Sequence, residues 1–398
     1  MMLIYSYLMG GIKMLNIKKI IVYLTLSLST YFMANNSFAE GVDELPVEMQ
    51  KAYEGLDANQ PIGPSMWRDF MGKEGPYVIG YASSYAGNTW RATAMDRLMN
   101  HLLPKYKEAG IVSDIIVTQS DLNDATQIQQ MRQLIDQEVD AIIICCSNIT
   151  ALNQTIKLAY DKGIPVVSWS GYVTSPYALS ASANYNEGGY RIGKSMFEAM
   201  GGEGRFLLVT GIPGLASSDS YDAGVMRAMK EYPNIKRAGI VTGFWTDQVA
   251  QTEVQKWLAT NPFPIDGIIA QSASETGGLK GLLQSGREIV PVSLGGAAGA
   301  SCYWRQNYNF VDEGFHIWPP GDEMELAFEL VIRTLQGQGP KVQSVARPAP
   351  TYSFEDVAAE LDGDCSIDST EWLQPGIDTW FPPEMADHFF LRPAPTIK

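Results

Sequence analysis

The chain has 398 residues, with 29 basic against 44 acidic side chains and a net charge of −15. That length suits two ordinary domains, and the acidity argues against binding nucleic acid through its phosphates. His101, His316 and His388 are the only histidines and the four cysteines form no CxxC pair, so His-centred triads, zinc ribbons and thioredoxin-type motifs find no support. No cofactor and no metal are expected.

The first 39 residues read as an export signal. Lys13, Lys18 and Lys19 precede the apolar run Ile20–Phe32, and Ser37-Phe38-Ala39 sets small residues at −3 and −1 of a cleavage site before Glu40. A basic start, an apolar segment and a small-x-small end describe a secretory signal peptide. The apolar run is too short to favour a transmembrane helix. Met14 is a more conventional start than Met1, and no cysteine follows the run to carry a lipid. The expected product is exported to the periplasm.

Residues 40–75 form a polar arm. Strand and helix then alternate. Tyr77–Ala82 is a strand, Asn88–Tyr106 a helix, Ile111–Thr118 a strand and Asp124–Gln137 a helix with apolar residues at 3–4 spacing. Ala141–Cys145 is a strand, Ala151–Lys162 a helix stopped by Gly163, and Pro165–Trp169 a strand. The pattern restarts after Asn186, with strands at Arg205–Thr210, Ala238–Gly243, Gly267–Gln271 and Val290–Leu294 between helices. Continuous apolar strands alternating with helices predict an α/β fold of two doubly wound parallel-sheet lobes. Residues 76–184 and 319–345 are assigned to the first lobe and 185–318 to the second. Residues 346–398 form a C-terminal extension expected on the second lobe. A ligand would sit outside the carboxyl ends of the strands.

Catalytic motifs are weak. Gly188–Ser195, GGYRIGKS, fits the P-loop pattern, but the residues before it are polar where a strand is required. Ile192, Met196 and Met200 recur every four residues, as in an amphipathic helix. The acidic run Asp362–Asp368 resembles part of a calcium loop, yet Leu373 stands where the bidentate Glu belongs. Asn148-Ile149-Thr150 fits a glycosylation sequon and reads as a strand cap or ligand contact. The stronger signal is aromatic. Trp90, Trp169, Trp245 and Trp318 fall at strand ends or helix starts, with Tyr85, Tyr185 and Tyr221 nearby. Flat rings beside neutral hydrogen-bonding groups suit a sugar or polyol, whose C–H faces stack while its hydroxyls pair.

In YVIGYASSYAGNTW, QSDLNDATQIQQMRQLIDQEVDAIIICCSNITAL, KGIPVVSWSG, ANYNEGGYRIGKSM, LLVTGIPGLASSDSYDAG, GIIAQSASETGGLKGL and VPVSLGG the chain resembles the ribose-binding branch of the periplasmic sugar-binding proteins. These have the type I fold of ABC-transporter solute-binding components, and the resemblance covers about residues 76–345. It implies ligand contacts from Asn88 and Trp90, with Arg91 in place of a second aromatic, from Asn184 at the hinge, and from Trp245 in the second lobe. Where the family carries charged or amide clamps, this chain has Ser170-Gly171, Tyr221, Ser272, Gly295 and Trp318. Ser84, Tyr85 and Trp169 complete the expected contacts. Losing those clamps removes charge-assisted hydrogen bonds, so a larger, less hydroxylated or partly aromatic solute is expected to fit. Trp90 and Trp245 are expected to sandwich it.

The resulting expectation is a non-catalytic, monomeric solute-binding protein that closes on a small molecule and presents both lobes to a membrane permease, with no nucleic-acid partner. A receptor component signalling to a chemotaxis or kinase partner shares every one of these features. A secreted hydrolase would need a carboxylate pair that the strand ends do not offer. Cys302 and Cys365 lie in loop-like, polar sequence of an exported chain and are expected to pair in a disulfide.

Overall fold

Among the described residues, nine parallel strands connected largely through helices build two sheets. The computed structural model describes residues 41–145, 148–307, 313–316, 319–347, 351–376 and 382–397. The strands of the first sheet are β1 (Tyr77–Ser83), β2 (Val112–Gln119), β3 (Ala141–Ile144), β4 (Val166–Trp169) and β5 (Ala178–Ala183). The second holds β6 (Glu203–Thr210), β7 (Asn234–Thr242) and β8 (Gly267–Ala270). Past it lie β9 (Glu313–His316), β10 (Ser344–Arg347) and β11 (Thr351–Ser353). The first sheet has the order β10-β5-β4-β3-β1-β2 and the second β7-β6-β8, parallel throughout. β9 and β11 form a separate antiparallel pair.

Apolar side chains on successive residues bury both faces of each sheet. Along β6, Phe206 and Leu208 enter one core cluster with Ile192, Phe197 and Val225. Leu207 and Val209 enter the opposite one with Val254, Leu258 and Leu282. In the first sheet Ile142, Ile144 and Val166 pack with Leu134, Ile135 and Ile156. The helix Pro320–Leu335, buried along nearly its whole length, packs against β3, β4 and β5.

The P-loop match lies inside the helix Tyr185–Ala199. Its glycines serve packing: a Cβ at Gly189 would lie 2.0 Å from the Tyr221 carbonyl oxygen. Only glycine allows this helix and Ala216–Met229 to touch backbone to backbone, and that contact seats Tyr221. Asn148 caps a turn, its Oδ1 accepting from the N–H groups of Thr150 and Ala151.

Three expectations need correction. The helix predicted over 88–106 is α-helical at Thr89–Asp96, widens to a π-turn at Arg97–Leu102 and resumes at Leu103–Glu108. Pro104 has no N–H for the Asn100 carbonyl, which favours the wider turn. The strand expected at Val290–Leu294 shrinks to one parallel bridge between Val292 and Ile268. β5 and β10 were not anticipated. Their sequences, ALSASA and SVAR, lack the β-branched run that marks buried strands.

The chain ends divide between the sheets. In the arm, Tyr53 Oη donates to the Ser344 carbonyl at 2.6 Å and Trp67 Nε1 to that of Tyr177 at 2.8 Å, covering the edge strand β10. Val357, Leu361 and Leu373 of the C-terminal extension join the core of the second sheet. Its last part does not follow: Phe389 and Phe390 lie against Leu330 and Arg333 of the first sheet's helix, and Leu391 N–H bonds the Gly339 carbonyl.

Cys302 and Cys365 are joined by a disulfide across 63 residues, with Cα atoms 5.9 Å apart. A loop of that size restricts the unfolded chain by about 4 kcal/mol in the chain-entropy model. The double variant Cys302→Ser/Cys365→Ser should therefore lose roughly 2–4 kcal/mol in urea unfolding. Unchanged stability would detach the extension from the fold's energetics.

Candidate ligand-binding site

All strands of a parallel sheet finish on the same edge, and here the carboxyl edges of the two sheets meet around one cavity. The empty space there, counted together with the open solvent at its mouth, is about 480 Å³. Asn88, Trp90 and Arg91 follow β1, Ser170 follows β4 and Tyr185 follows β5. Ser217 and Tyr221 follow β6, Trp245 follows β7, and Gln271, Ser272 and Ala273 follow β8.

On the first-sheet wall, Asn88 is the N-cap of its helix, its Oδ1 accepting from Arg91 N–H at 2.9 Å. The cap fixes the first turn, which aims Trp90 and Arg91. Trp90 stacks on Trp169 with ring centroids 5.3 Å apart and planes within 10°. The Arg91 guanidinium lies 5.0 Å and 4.7 Å from the centroids of these two rings, a cation–π arrangement. Arg91 Nη2 donates to Ser170 Oγ at 3.2 Å, and Ser170 Oγ lies 3.2 Å from Tyr185 Oη. Tyr185 Oη donates to the Glu323 carboxylate at 3.0 Å. Because Tyr185 spends its proton on Glu323, Ser170 donates to Tyr185 and accepts from Arg91. The chain has one direction.

On the second-sheet wall, Trp245 Nε1 donates to Gln271 Oε1 at 2.8 Å. Gln271 Nε2 donates to Asp222 Oδ1 at 2.7 Å and to the Ser218 carbonyl at 3.0 Å. Asp222 Oδ2 accepts from Thr210 Oγ1 at 2.6 Å. Asp222, accepting only, orients the amide so that its oxygen meets the indole. A Cβ at Gly211 would lie 2.2 Å from Trp245 Nε1 and 2.5 Å from Gln271 Oε1, so the ring occupies space that only a glycine leaves. Ser170, Trp245 and Ala273 hold left-handed backbone at φ 53°, 51° and 67°, as does Phe244 at 55°. Such conformations cost on the order of 1–3 kcal/mol each and gather at functional sites.

The two walls touch. Tyr85 Oη donates to the Phe244 carbonyl at 3.1 Å, and Asn88 Nδ2 to that of Trp245 at 3.2 Å. These bonds close the cleft above the cavity.

Of the residues expected to contact ligand, Asn88, Trp90, Arg91, Ser170, Tyr221, Trp245 and Ser272 line the cavity. Others are elsewhere. Trp169 is fully buried behind Trp90 and donates its Nε1 to Tyr81 Oη. Asn184 Nδ2 donates to the Ala52 and Glu54 carbonyls of the arm, and its Oδ1 caps the next helix. Ser84 is buried against Cys145 Sγ, and Tyr85 bridges the walls instead of lining the cavity. Trp318 lies outside the described residues. Sequence reasoning omitted Tyr185, Ser217, Gln271 and Ala273 from the expected contacts. Gln271 closes a predicted strand one residue before Ser272, so position alone could have found it.

The family model of the periplasmic binding protein domain matches residues 79–339, and the chain belongs to this family. It is 28% identical over 180 residues to the xylitol-binding protein of Mycolicibacterium smegmatis, covering 44% of this chain and 52% of that one. With the D-xylose-binding periplasmic protein of Escherichia coli it shares 23% over 177 residues, 43% of this chain and 53% of that one. The chain thus spans about half the length of these curated relatives. A solved ABC-transporter solute-binding protein of Mycobacterium smegmatis with bound glycerol superposes with a TM-score of 0.65 at 17% identity, over 75% of this chain and 100% of that one. Among the described residues, no helix is long and apolar enough to cross a membrane.

Burial pushes the Glu323 carboxyl up to about 7, against hydrogen bonds from Ala183 and Tyr185 and the nearby Arg91 and Arg347 charges. Glu275 is likewise pushed up to about 7 by burial and by Asp247. A carboxyl whose folded value exceeds its unfolded one binds more protons when folded. Its contribution is then complete below the unfolded value, near 4.5, and is lost as pH rises through about 7. The loss is on the order of 3 kcal/mol per group. Glu323→Gln should flatten the fall in melting temperature between pH 5 and pH 8, read by calorimetry. A variant with the parent's slope would mean that Glu323 is already ionised throughout.

Proposed function

We propose that the chain is exported as a solute-binding component of an ABC importer. It captures a small sugar-like or polyol solute in the cleft and presents the closed form to a membrane permease. The observation that carries this reading is the cavity itself. Trp90 and Trp245 approach it from opposite walls, hydrogen-bonding side chains lie between them, and loops of both walls meet above it. Rings supply stacking surface for C–H faces, and closure excludes water so that modest hydrogen bonds hold the ligand. The two sheets, each with its own core, move as lobes about the hinge near Asn184.

Hydrolysis fits the cavity poorly. Its lining contains no Asp or Glu among the described residues. Asp222 and Glu323 stand behind Gln271 and Tyr185 with their oxygens already accepting hydrogen bonds. Among the described residues, no two carboxylates face each other across the cavity as a scissile bond would need. Two relatives are named for xylitol and D-xylose, both small hydroxylated solutes. We place the working protein in the periplasm as a monomer.

A thermal-shift screen against sugars, polyols, nucleosides and small aromatics should give a rise with one of the first two classes. Trp245→Ala should then weaken binding tenfold or more in isothermal titration while the free protein stays folded, since a stacked ring contributes about 1–3 kcal/mol and about 1.4 kcal/mol is one decade. Equal affinity in Trp90→Ala, Trp245→Ala and the parent would place the binding site elsewhere.

Export has its own check. N-terminal sequencing of protein recovered from the periplasm should begin at or within a few residues of Glu40, as the Ser37-Phe38-Ala39 site requires. A membrane-bound product that starts at Met1 or Met14 would refute the processing.

A further inference from the structure

Arg91 is the one formally charged side chain in the cavity lining among the described residues. Only 6% of it is exposed, and its Nη1 has no hydrogen-bond partner. Nη2 is spent on Ser170, and the flat face of the guanidinium is taken up by Trp90 and Trp169. Glu323 is near enough to act on this charge, but hydrogen bonds link the two only through Ser170 and Tyr185, so no carboxylate bonds the guanidinium directly. A guanidinium keeps its charge at every relevant pH, and burying a charge is costly unless it is both paired and hydrogen-bonded.

The neighbouring groups are compatible with an acceptor. Ser272 Oγ is buried and likewise without a partner. The amide oxygens of Asn88 and Gln271, the natural acceptors of the lining, already accept from Arg91 N–H and Trp245 Nε1. A sugar hydroxyl both donates and accepts, whereas a carboxylate only accepts. Of the two open groups, Arg91 Nη1 can only donate and Ser272 Oγ is able to donate, which suits an acceptor-rich ligand. Charge-assisted hydrogen bonds are about twice as strong as neutral ones, which turns that match into selectivity.

We propose that the solute of this cleft is a hydroxylated carboxylate, an aldonate- or uronate-like anion, whose carboxylate meets Arg91 Nη1 while its hydroxylated carbon chain lies between Trp90 and Trp245. The proposal rests on the sugar or polyol reading above and narrows it. The anion supplies the counter-charge that the lining lacks, and its carbon chain keeps the stacking role of the rings.

Isothermal titration of the exported chain decides it, with the aldonates and uronates of five- and six-carbon sugars run against their parent sugars and alditols, and with hexanoate as an unhydroxylated carboxylate. We expect the best anion to bind at least tenfold tighter than its neutral counterpart, about 1.4 kcal/mol, and Arg91→Gln to erase that preference. The comparison within the parent protein stands even where the variant does not fold. Neutral sugars binding as tightly as their acids would overturn the anion while leaving the sugar reading intact. Hexanoate binding as well as the best sugar acid would keep the carboxylate and overturn the sugar-like chain. No binding by any of them at millimolar concentration would overturn both.

Discussion

Parallel strands cannot choose where they end. Each crossover helix carries the chain back to the starting edge, so every strand of a sheet delivers its carboxyl end to the same side. With two such sheets facing one cleft, the residues just past β1, β4, β5, β6, β7 and β8 are brought together although they lie up to 185 positions apart, from Asn88 to Ala273. The rest of the structure serves that edge. The cores on both faces of each sheet hold the strands rigid, the arm covers β10, and the disulfide pins the extension to the second sheet.

Polar groups behind the cavity act as much as those within it. Gln271 presents its oxygen to Trp245 because Asp222 and the Ser218 carbonyl claim its amide hydrogens. Ser170 accepts from Arg91 because Tyr185 and Glu323 draw its proton the other way. In both cases a carboxylate outside the lining, half-buried at Asp222 and buried at Glu323, sets the orientation of a neutral side chain at the surface of the cavity. Among the described residues the lining is left free of negative charge, while the polar groups behind it are hydrogen-bonded.

Much of this was readable in the residues. The alternation of apolar strands with amphipathic helices identifies two doubly wound sheets, because burial on both faces forces continuous apolar runs. Strand ends then point to Asn88, Trp90, Arg91, Ser170, Tyr221, Trp245 and Ser272. What misled was the assumption that an aromatic or amide at such an end must face the ligand. Trp169 is the last residue of β4 and turns into the sheet's own packing, while Ser170, one residue on, turns into the cavity. Asn184 has the capping chemistry to serve either ligand or backbone, and the arm claims it. β5 and β10 escaped notice because small residues suffice where the arm and a neighbouring helix cover the strand. Period and propensity carry no trace of such tertiary cover.

The loop after β7 shows how strain, packing and closure depend on one another. Phe244 and Trp245 both hold left-handed backbone, which non-glycine residues avoid. That turn exposes the carbonyls of the same two residues to Tyr85 and Asn88 of the opposite wall, and swings the indole back over Gly211 to Gln271. An extended loop would aim neither. The strain is held by bonds on both sides, from Gln271 within its own sheet and from Tyr85 and Asn88 across the cleft. In the proposed binding cycle, opening the cleft would remove the second set and leave the first, so Trp245 would stay oriented by Gln271 while the opposite wall moved away. A ring positioned before closure loses less freedom when ligand arrives, and preorganisation of that kind is worth affinity without any added contact.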